Sequence, residues 1–282
     1  MKKVKGIFQL IRFELPFAAG VCVVMGQLLA LGEFASLFIT ISGFFSVFAI
    51  SASILVLNDF YDIETDRINA PHRPIPSNLV SPLDALLLSI ILLIIGFTLS
   101  YLISISALMF SIALAVIGFL YNRKFKKSGL LGNILVSFSV GMTFIYGGLT
   151  VELPFHKMVI FFSLIGALID LGEEIAADAM DIKGDLLINS NSIAIKYGKE
   201  TALKISGFIF FFVVLLTSIP FLLKWFSSVY LFPILLMDFF IVYPTIKLIK
   251  SHNEEGRKYI RWIYLGSTLG LVIFLFMRVM KI

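Results

Sequence analysis

The stretch Asn58-Asp59-Phe60-Tyr61-Asp62-Ile63-Glu64-Thr65-Asp66 sets three aspartates into a chain that is otherwise largely hydrocarbon. In a helix, Asp59, Asp62 and Asp66 stand at i, i+3 and i+7, so their carboxylates share one face. Such a face repels itself unless a cation lies on it. The same spacing returns far downstream, as Asp178, Asp181 and Asp185 within Glu174-Ile175-Ala176-Ala177-Asp178-Ala179-Met180-Asp181-Ile182-Lys183-Gly184-Asp185.

The surrounding sequence fixes the medium. Of 282 residues 59% are hydrophobic and 15% charged, and the mean hydropathy is +0.99. A soluble domain is about half apolar and about one-quarter charged, and one globule of this length cannot hide so much hydrocarbon. The composition therefore predicts a polytopic membrane protein built only of helices. A lone cysteine, Cys22, inside the first apolar run excludes a disulfide framework and a cysteine metal site. The net charge of +5 would suit nucleic acid, but in a membrane protein basic residues mark the cytoplasmic side, and no nucleic-acid partner is expected.

Taken in order, Lys2, Lys3 and Lys5 precede an apolar run that carries Arg12 and Glu14 and extends to roughly Leu31, too long for a signal peptide and read as a retained first span. A second run from about Phe34 delivers the chain to Asn58. Further runs at roughly 83–103, 105–120, 130–150, 154 into the second acidic stretch, 202–223, 229–249 and 259–280 bring the total to about nine spans in one domain, 1–282. Pro71, Pro74 and Pro76 predict an extended, rigid loop after Asp66, able to hold Arg67 and Arg73 over the acidic face. The fourth run ends in Tyr121-Asn122-Arg123-Lys124-Phe125-Lys126-Lys127, either a membrane anchor or a set of cations for an anion shared with the aspartates. Asp170, inside the sixth run, needs a polar neighbour. Of 23 lysines and arginines, only Lys157, Lys224, Arg278 and Lys281 fall on the side away from the acidic stretches, which places those stretches in the cytoplasm.

Clustered carboxylates suit hard cations, and Mg2+ takes one or two of them together with phosphate oxygens. Two clusters facing one cavity, ringed by cations, would clamp a diphosphate and neutralise it as it leaves. Its hydrocarbon would lie among the spans. Asp59, Asp62, Asp66, Asp178, Asp181 and Asp185 are then the candidate metal ligands. Arg73, Tyr121 and Lys124 are the candidate diphosphate contacts, with Arg67, Arg123 and Lys126 behind them as cations of the kind that anchor span ends. Most of the 29 phenylalanines are expected to pack or face lipid.

These residues together resemble the UbiA-type intramembrane prenyltransferases. Asn58, Asp62 and Asp66 meet the family's Asn-x-x-x-Asp-x-x-x-Asp signature, Arg73-Pro74-Ile75-Pro76-Ser77 looks like its RPIPS loop, Asp181 and Asp185 meet its second Asp-x-x-x-Asp, and Tyr121 and Lys124 meet its Tyr-x-x-Lys. The resemblance implies a ring of helices around a central cavity, a lateral opening to lipid, and Mg2+ ions bridging diphosphate between the acidic motifs, with Asn58 among the ligands. Within the family, SASILVLNDFYD and NAPHRPIPS look most like the archaeal members that transfer a geranylgeranyl group from its diphosphate to the hydroxyl of geranylgeranylglyceryl phosphate, forming the second ether bond of archaeal lipid. Asp62, Asp66, Asp181 and Asp185 would be essential to the reaction, and Asp178 either its base or a third ligand. Glu173 and Ala177 stand where many members have Arg and Lys, which leaves Arg12 as the expected cation for the acceptor phosphate. An aromatic acceptor, of quinone, tocopherol or benzoate type, is the nearest alternative, and a transporter the alternative of another class; transporters place ionisable residues near the bilayer midplane, whereas these cluster at span ends.

Overall fold

The computed structural model describes residues 2–251 and 253–280, and Lys281 lies outside them. Its helices are α1 (Lys2–Ile11), α2 (Glu14–Leu31), α3 (Leu37–Tyr61), α4 (Ile63–Asn69), α5 (Pro82–Ile103), α6 (Ile105–Leu120), α7 (Leu130–Leu149), α8 (Lys157–Asp185), α9 (Ile193–Tyr197), α10 (Lys199–Thr217), α11 (Ile219–Leu222), α12 (Leu231–Ile249) and α13 (Asn253–Val279). Among the described residues there is no strand. Eight helices among the described residues are long and apolar enough to cross a membrane. The ninth long helix, α8, has 29 residues but sets Asp170, Glu173 and Glu174 into its apolar stretch. The protein is a multi-pass membrane protein, close to the nine spans expected.

Serines set several helix starts. Ser36 and Ser81 accept from Ile39 N and Asp84 N. Ser104, extended at φ −168 and ψ 161, ends α5 and caps α6 by accepting from Ala107 N at 3.0 Å, so two spans follow each other across a single residue. Successive long helices pack side by side, from α2 and α3 through α5, α6, α7, α8, α10 and α12 to α13, and α13 returns to α2 to close a ring. Inside the ring α2 also packs on α7. In lipid, apolar side chains give no drive for helices to associate, so close backbone approach at small residues does that work. A Cβ on Gly26 would lie 2.2 Å from the Phe144 carbonyl oxygen, and one on Gly147 would lie 2.2 Å from that of Val23. Nearby, the buried Tyr146 hydroxyl lies 2.9 Å from both Ser46 Oγ and Ser100 Oγ, tying α7 to α3 and α5.

Two expectations are corrected. The first apolar run is not one helix: it breaks at Arg12, whose φ of 48 lies in the left-handed region, and α1 becomes a separate helix that buries Leu10 and leaves Val4 and Phe8 exposed. The break turns the Arg12 side chain toward α3. The proline segment is not extended either but folds into tight turns, with Arg73 N donating to Ala70 O at 2.9 Å, Ser77 N to Arg73 O at 3.0 Å and Leu79 N to Pro74 O at 2.9 Å. Proline's fixed φ suits turn positions as well as extended ones, and the burial of Ile75 and Val80 in one cluster with Leu10, Val56 and Ala85 draws the segment in.

Candidate active site

The first acidic triad straddles a helix break. Asp62, at φ −92 and ψ 7, separates α3 from α4. Even so, Asp62 N donates to Asn58 O at 2.9 Å and Asp66 N to Asp62 O at 2.7 Å, which keeps the helical phase and turns all three aspartates inward. Asp59, Asp62 and Asp66 are 1%, 6% and 4% exposed. Carboxylates so deeply buried require partners, and the chain supplies its own. Arg12 pairs with Asp59, and Lys126 pairs with Asp62. Arg73 lies 3.6 Å from Asp59 and 2.6 Å from Asp66. Burial works to lower the Arg73 pKa, but Asp59 and Asp66 outweigh it and the value rises. At Arg12 burial prevails over the attraction of Asp59, Arg73 adds its repulsion, and the value falls. Both guanidinium groups stay charged. Asn58 donates its amide to Asn122 Oδ1 at 3.0 Å, and Asn122 in turn donates to Ile54 O at 3.1 Å. An amide held in this way can offer only its oxygen to a cation.

The second triad lies on the last turns of α8. Asp178 accepts from Asn133 Nδ2 at 2.9 Å, and Asp170 accepts from Ser137 Oγ at 2.9 Å, which supplies the polar neighbour the sequence called for. Asn133 and Ser137 stand one turn apart on α7. Asp181 pairs with Arg257 of α13. The two triads form a single charged site. The Lys126 ammonium, paired with Asp62, also acts electrostatically on Glu174, Asp178 and Asp185, and Asp62 itself acts on Asp185. Arg257 likewise lies in the field of Arg73 and Asp66. Half-buried Tyr121 faces Glu174, Asp178, Asp62 and Asp170 from a π-helical turn over Tyr121–Phe125.

The cations do not fall as the motif spacing suggested. Lys124 is exposed, its ammonium 5.9 Å from the centre of the Phe125 ring, and Arg123 is exposed beside it. The wide π-turn followed by a 3-10 turn over Lys126–Ser128 rotates Lys126 inward instead. That turn is fastened where Asn191 N donates to Lys127 O at 3.0 Å. Arg67 points away and pairs with Glu64 on the exposed side of α4 at 3.0 Å. Arg12 does reach the site, where its guanidinium pairs with Asp59. Asn133, Ser137, Asn122 and Arg257 escaped the sequence reading. Two polar residues at i and i+4 in an apolar span were a usable signal for the first pair, whereas nothing local distinguishes Arg257 from the other cations at span ends.

Among the described residues no three carboxylates or imidazoles converge into a self-sufficient metal cage. The donors are oxygens, spread over two motifs that face each other across Lys126. Such a set fits Mg2+, which completes its shell with phosphate oxygens rather than with protein alone.

A closed ring of membrane helices with carboxylates and cations gathered at one end is an arrangement suited to an intramembrane enzyme. Residues 19–276 match the UbiA prenyltransferase family, and the chain belongs to that family; it is a prenyltransferase. It is 36% identical over 255 residues to the digeranylgeranylglyceryl phosphate synthase of Methanocaldococcus jannaschii, covering 90% of this chain and 89% of that one. A solved structure of a digeranylgeranylglyceryl phosphate synthase in membranes is 32% identical and superposes with a TM-score of 0.68 over 97% of this chain and 100% of its own. A UbiA homologue from Archaeoglobus fulgidus, solved with GPP and Mg2+, shares the fold at 17% identity and a TM-score of 0.66, covering 95% of this chain and 99% of its own.

Proposed function

We propose that the enzyme transfers a geranylgeranyl group from geranylgeranyl diphosphate to the free hydroxyl of geranylgeranylglyceryl phosphate, with Mg2+, at the cytoplasmic face of the cell membrane. The observation that carries this reading is Lys126, a cation of the chain seated between the two acidic triads, paired with Asp62 and acting on Asp178 and Asp185. A polyanion that brings metal can enter such an arrangement by exchanging partners with charges already there. The 36% identity to the archaeal synthase supports the lipid acceptor. The Archaeoglobus homologue with GPP and Mg2+ supports the donor and the metal. The excess of basic residues on the site's side supports the orientation.

Asp62, Asp66, Asp181 and Asp185 would hold the metal, with Asn58 lending its oxygen; when bound, Mg2+ supplies Lewis-acid neutralisation of the leaving diphosphate. Arg73 and Lys126 orient that diphosphate, and Tyr121 borders it. A plain alcohol is a poor nucleophile, so the allylic C–O bond breaks ahead of attack by the acceptor hydroxyl, whose proton is lost late. Asp178 takes that proton: Asn133 donates to one of its oxygens, and the other would accept it. Asp59 and Arg12 position Arg73 without touching the substrates.

The test is to incubate purified protein with geranylgeranyl diphosphate and, separately, geranylgeranylglyceryl phosphate, its dephosphorylated alcohol and an aromatic acceptor, and to identify products by mass. Product is expected with the phosphorylated lipid, lost in EDTA and restored by Mg2+. Full activity in EDTA, or preference for the aromatic acceptor, overturns the reading.

A further inference from the structure

Among the described residues four cations pair with the two acidic triads, and they are not held alike. Arg12, Arg73 and Lys126 are pinned by aspartates of the first triad that are 1–7% exposed at the side chain. Arg257 is paired with Asp181 of the second triad, and these two side chains are 35% and 34% exposed. An ion pair open to water is weakly held and exchanges readily. A guanidinium also offers a planar fork that matches a phosphate and binds it through two hydrogen bonds.

The placement of Arg257 is built by the fold. One turn further along α13, Arg261 donates to Glu14 Oε1 at 2.9 Å and Tyr264 to the same oxygen at 3.3 Å, which fixes this face of α13 against α2. At the neighbouring Gly256 a Cβ would lie 2.4 Å from Met180 Sδ, so the missing side chain lets α13 approach α8 beside Asp181. From 173 to 182 α8 carries no lysine or arginine. Lys183 is exposed and Lys126 is paired with Asp62 of the first triad, so the cation paired with the second triad comes from α13.

We propose that Arg257 is the specificity-determining residue for the acceptor: its guanidinium exchanges Asp181 for the phosphate monoester of the glycerol lipid, which sets the hydroxyl of that lipid toward Asp178. This rests on the function proposed above and names the group that would select a phosphorylated acceptor over a neutral one.

The experiment measures equilibrium binding of geranylgeranylglyceryl phosphate, geranylgeranylglycerol and geranylgeranyl diphosphate to purified wild type, Arg257→Gln and Arg257→Lys, with the KM of each substrate alongside. Arg257→Gln is expected to weaken binding of the phosphorylated acceptor by about tenfold or more, to leave the neutral alcohol and the prenyl diphosphate unaffected, and to be partly rescued by Arg257→Lys. Equal losses for phosphorylated and neutral acceptors, or a loss centred on the prenyl diphosphate, overturns the assignment, and so does Arg257→Gln that binds every ligand as wild type does. Thermal unfolding in detergent accompanies each variant; if Arg257→Gln does not fold, Arg257→Lys, which keeps charge and loses the fork, decides by the same ratio between the two acceptors. Wild type that fails to prefer the phosphorylated lipid overturns the function proposed above, whereas wild type that prefers it together with a variant that still does so overturns Arg257 alone.

Discussion

Replacing Asp59 by asparagine removes the charge that Arg12 and Arg73 share while keeping the volume of the side chain. The Asp59 side chain is 1% exposed, and those of Arg12 and Arg73 are 25% and 27% exposed. Removing one partner from a fully buried pair costs about 3–5 kcal/mol, and guanidinium groups partly in water recover some of that, so the expected loss is about 2–3 kcal/mol. Unfolding in mixed micelles with a rising fraction of denaturing detergent measures it. The double variant Asp59→Asn/Arg12→Gln should regain much of the loss, because no orphaned charge remains on α1's side of the pair. In turnover, the KM for prenyl diphosphate should rise, since Arg73 keeps only Asp66 as its anchor, while the concentration of Mg2+ giving half-maximal rate stays within about twofold. A stability change below about 0.5 kcal/mol joined to a tenfold shift in the Mg2+ requirement would refute this reasoning, because it would make Asp59 a metal ligand and not a strut.

Lys126→Met should raise the KM for prenyl diphosphate by roughly tenfold or more, the worth of a charge-assisted hydrogen bond, and Lys124→Met should change it by less than about twofold; equal effects would contradict the inward turn of Lys126. Gly147→Ala should destabilise the fold by about 1–3 kcal/mol, the usual cost of overpacking, because its Cβ meets backbone that has no room to give. The same micelle titration checks it, and a change below about 0.5 kcal/mol would mean that α2 and α7 slide apart freely.

Hydrophobic run lengths located nearly every span, since only a membrane helix uses such runs, and the paired aspartate spacing picked out the two carboxylate clusters that the fold brings together in the candidate site. The misses share a cause. Arg12 breaks the first run because its side chain is drawn to Asp59, a contact far away in sequence that no local pattern encodes. Lys124 and Lys126 differ only by position in a cationic loop, and their roles are decided by the extra width of a π-turn. The prolines of residues 71–76 suit turned and extended backbone alike, so the outcome rested on where Ile75 and Val80 could be buried. Arg257 depends on Gly256 meeting Met180, a contact between helices that packing alone reveals.

The contact between α2 and α7 has a mechanical consequence. Helix α2 leads away from the acidic end and α3 returns to it bearing the first triad; α7 leads away and α8 returns bearing the second. The two hairpins are joined backbone to backbone at Gly26 and Gly147, well along both outgoing helices. They act as the arms of a caliper whose pin lies at the far end and whose jaws carry the carboxylates. A pin that tight leaves little play between the outgoing helices.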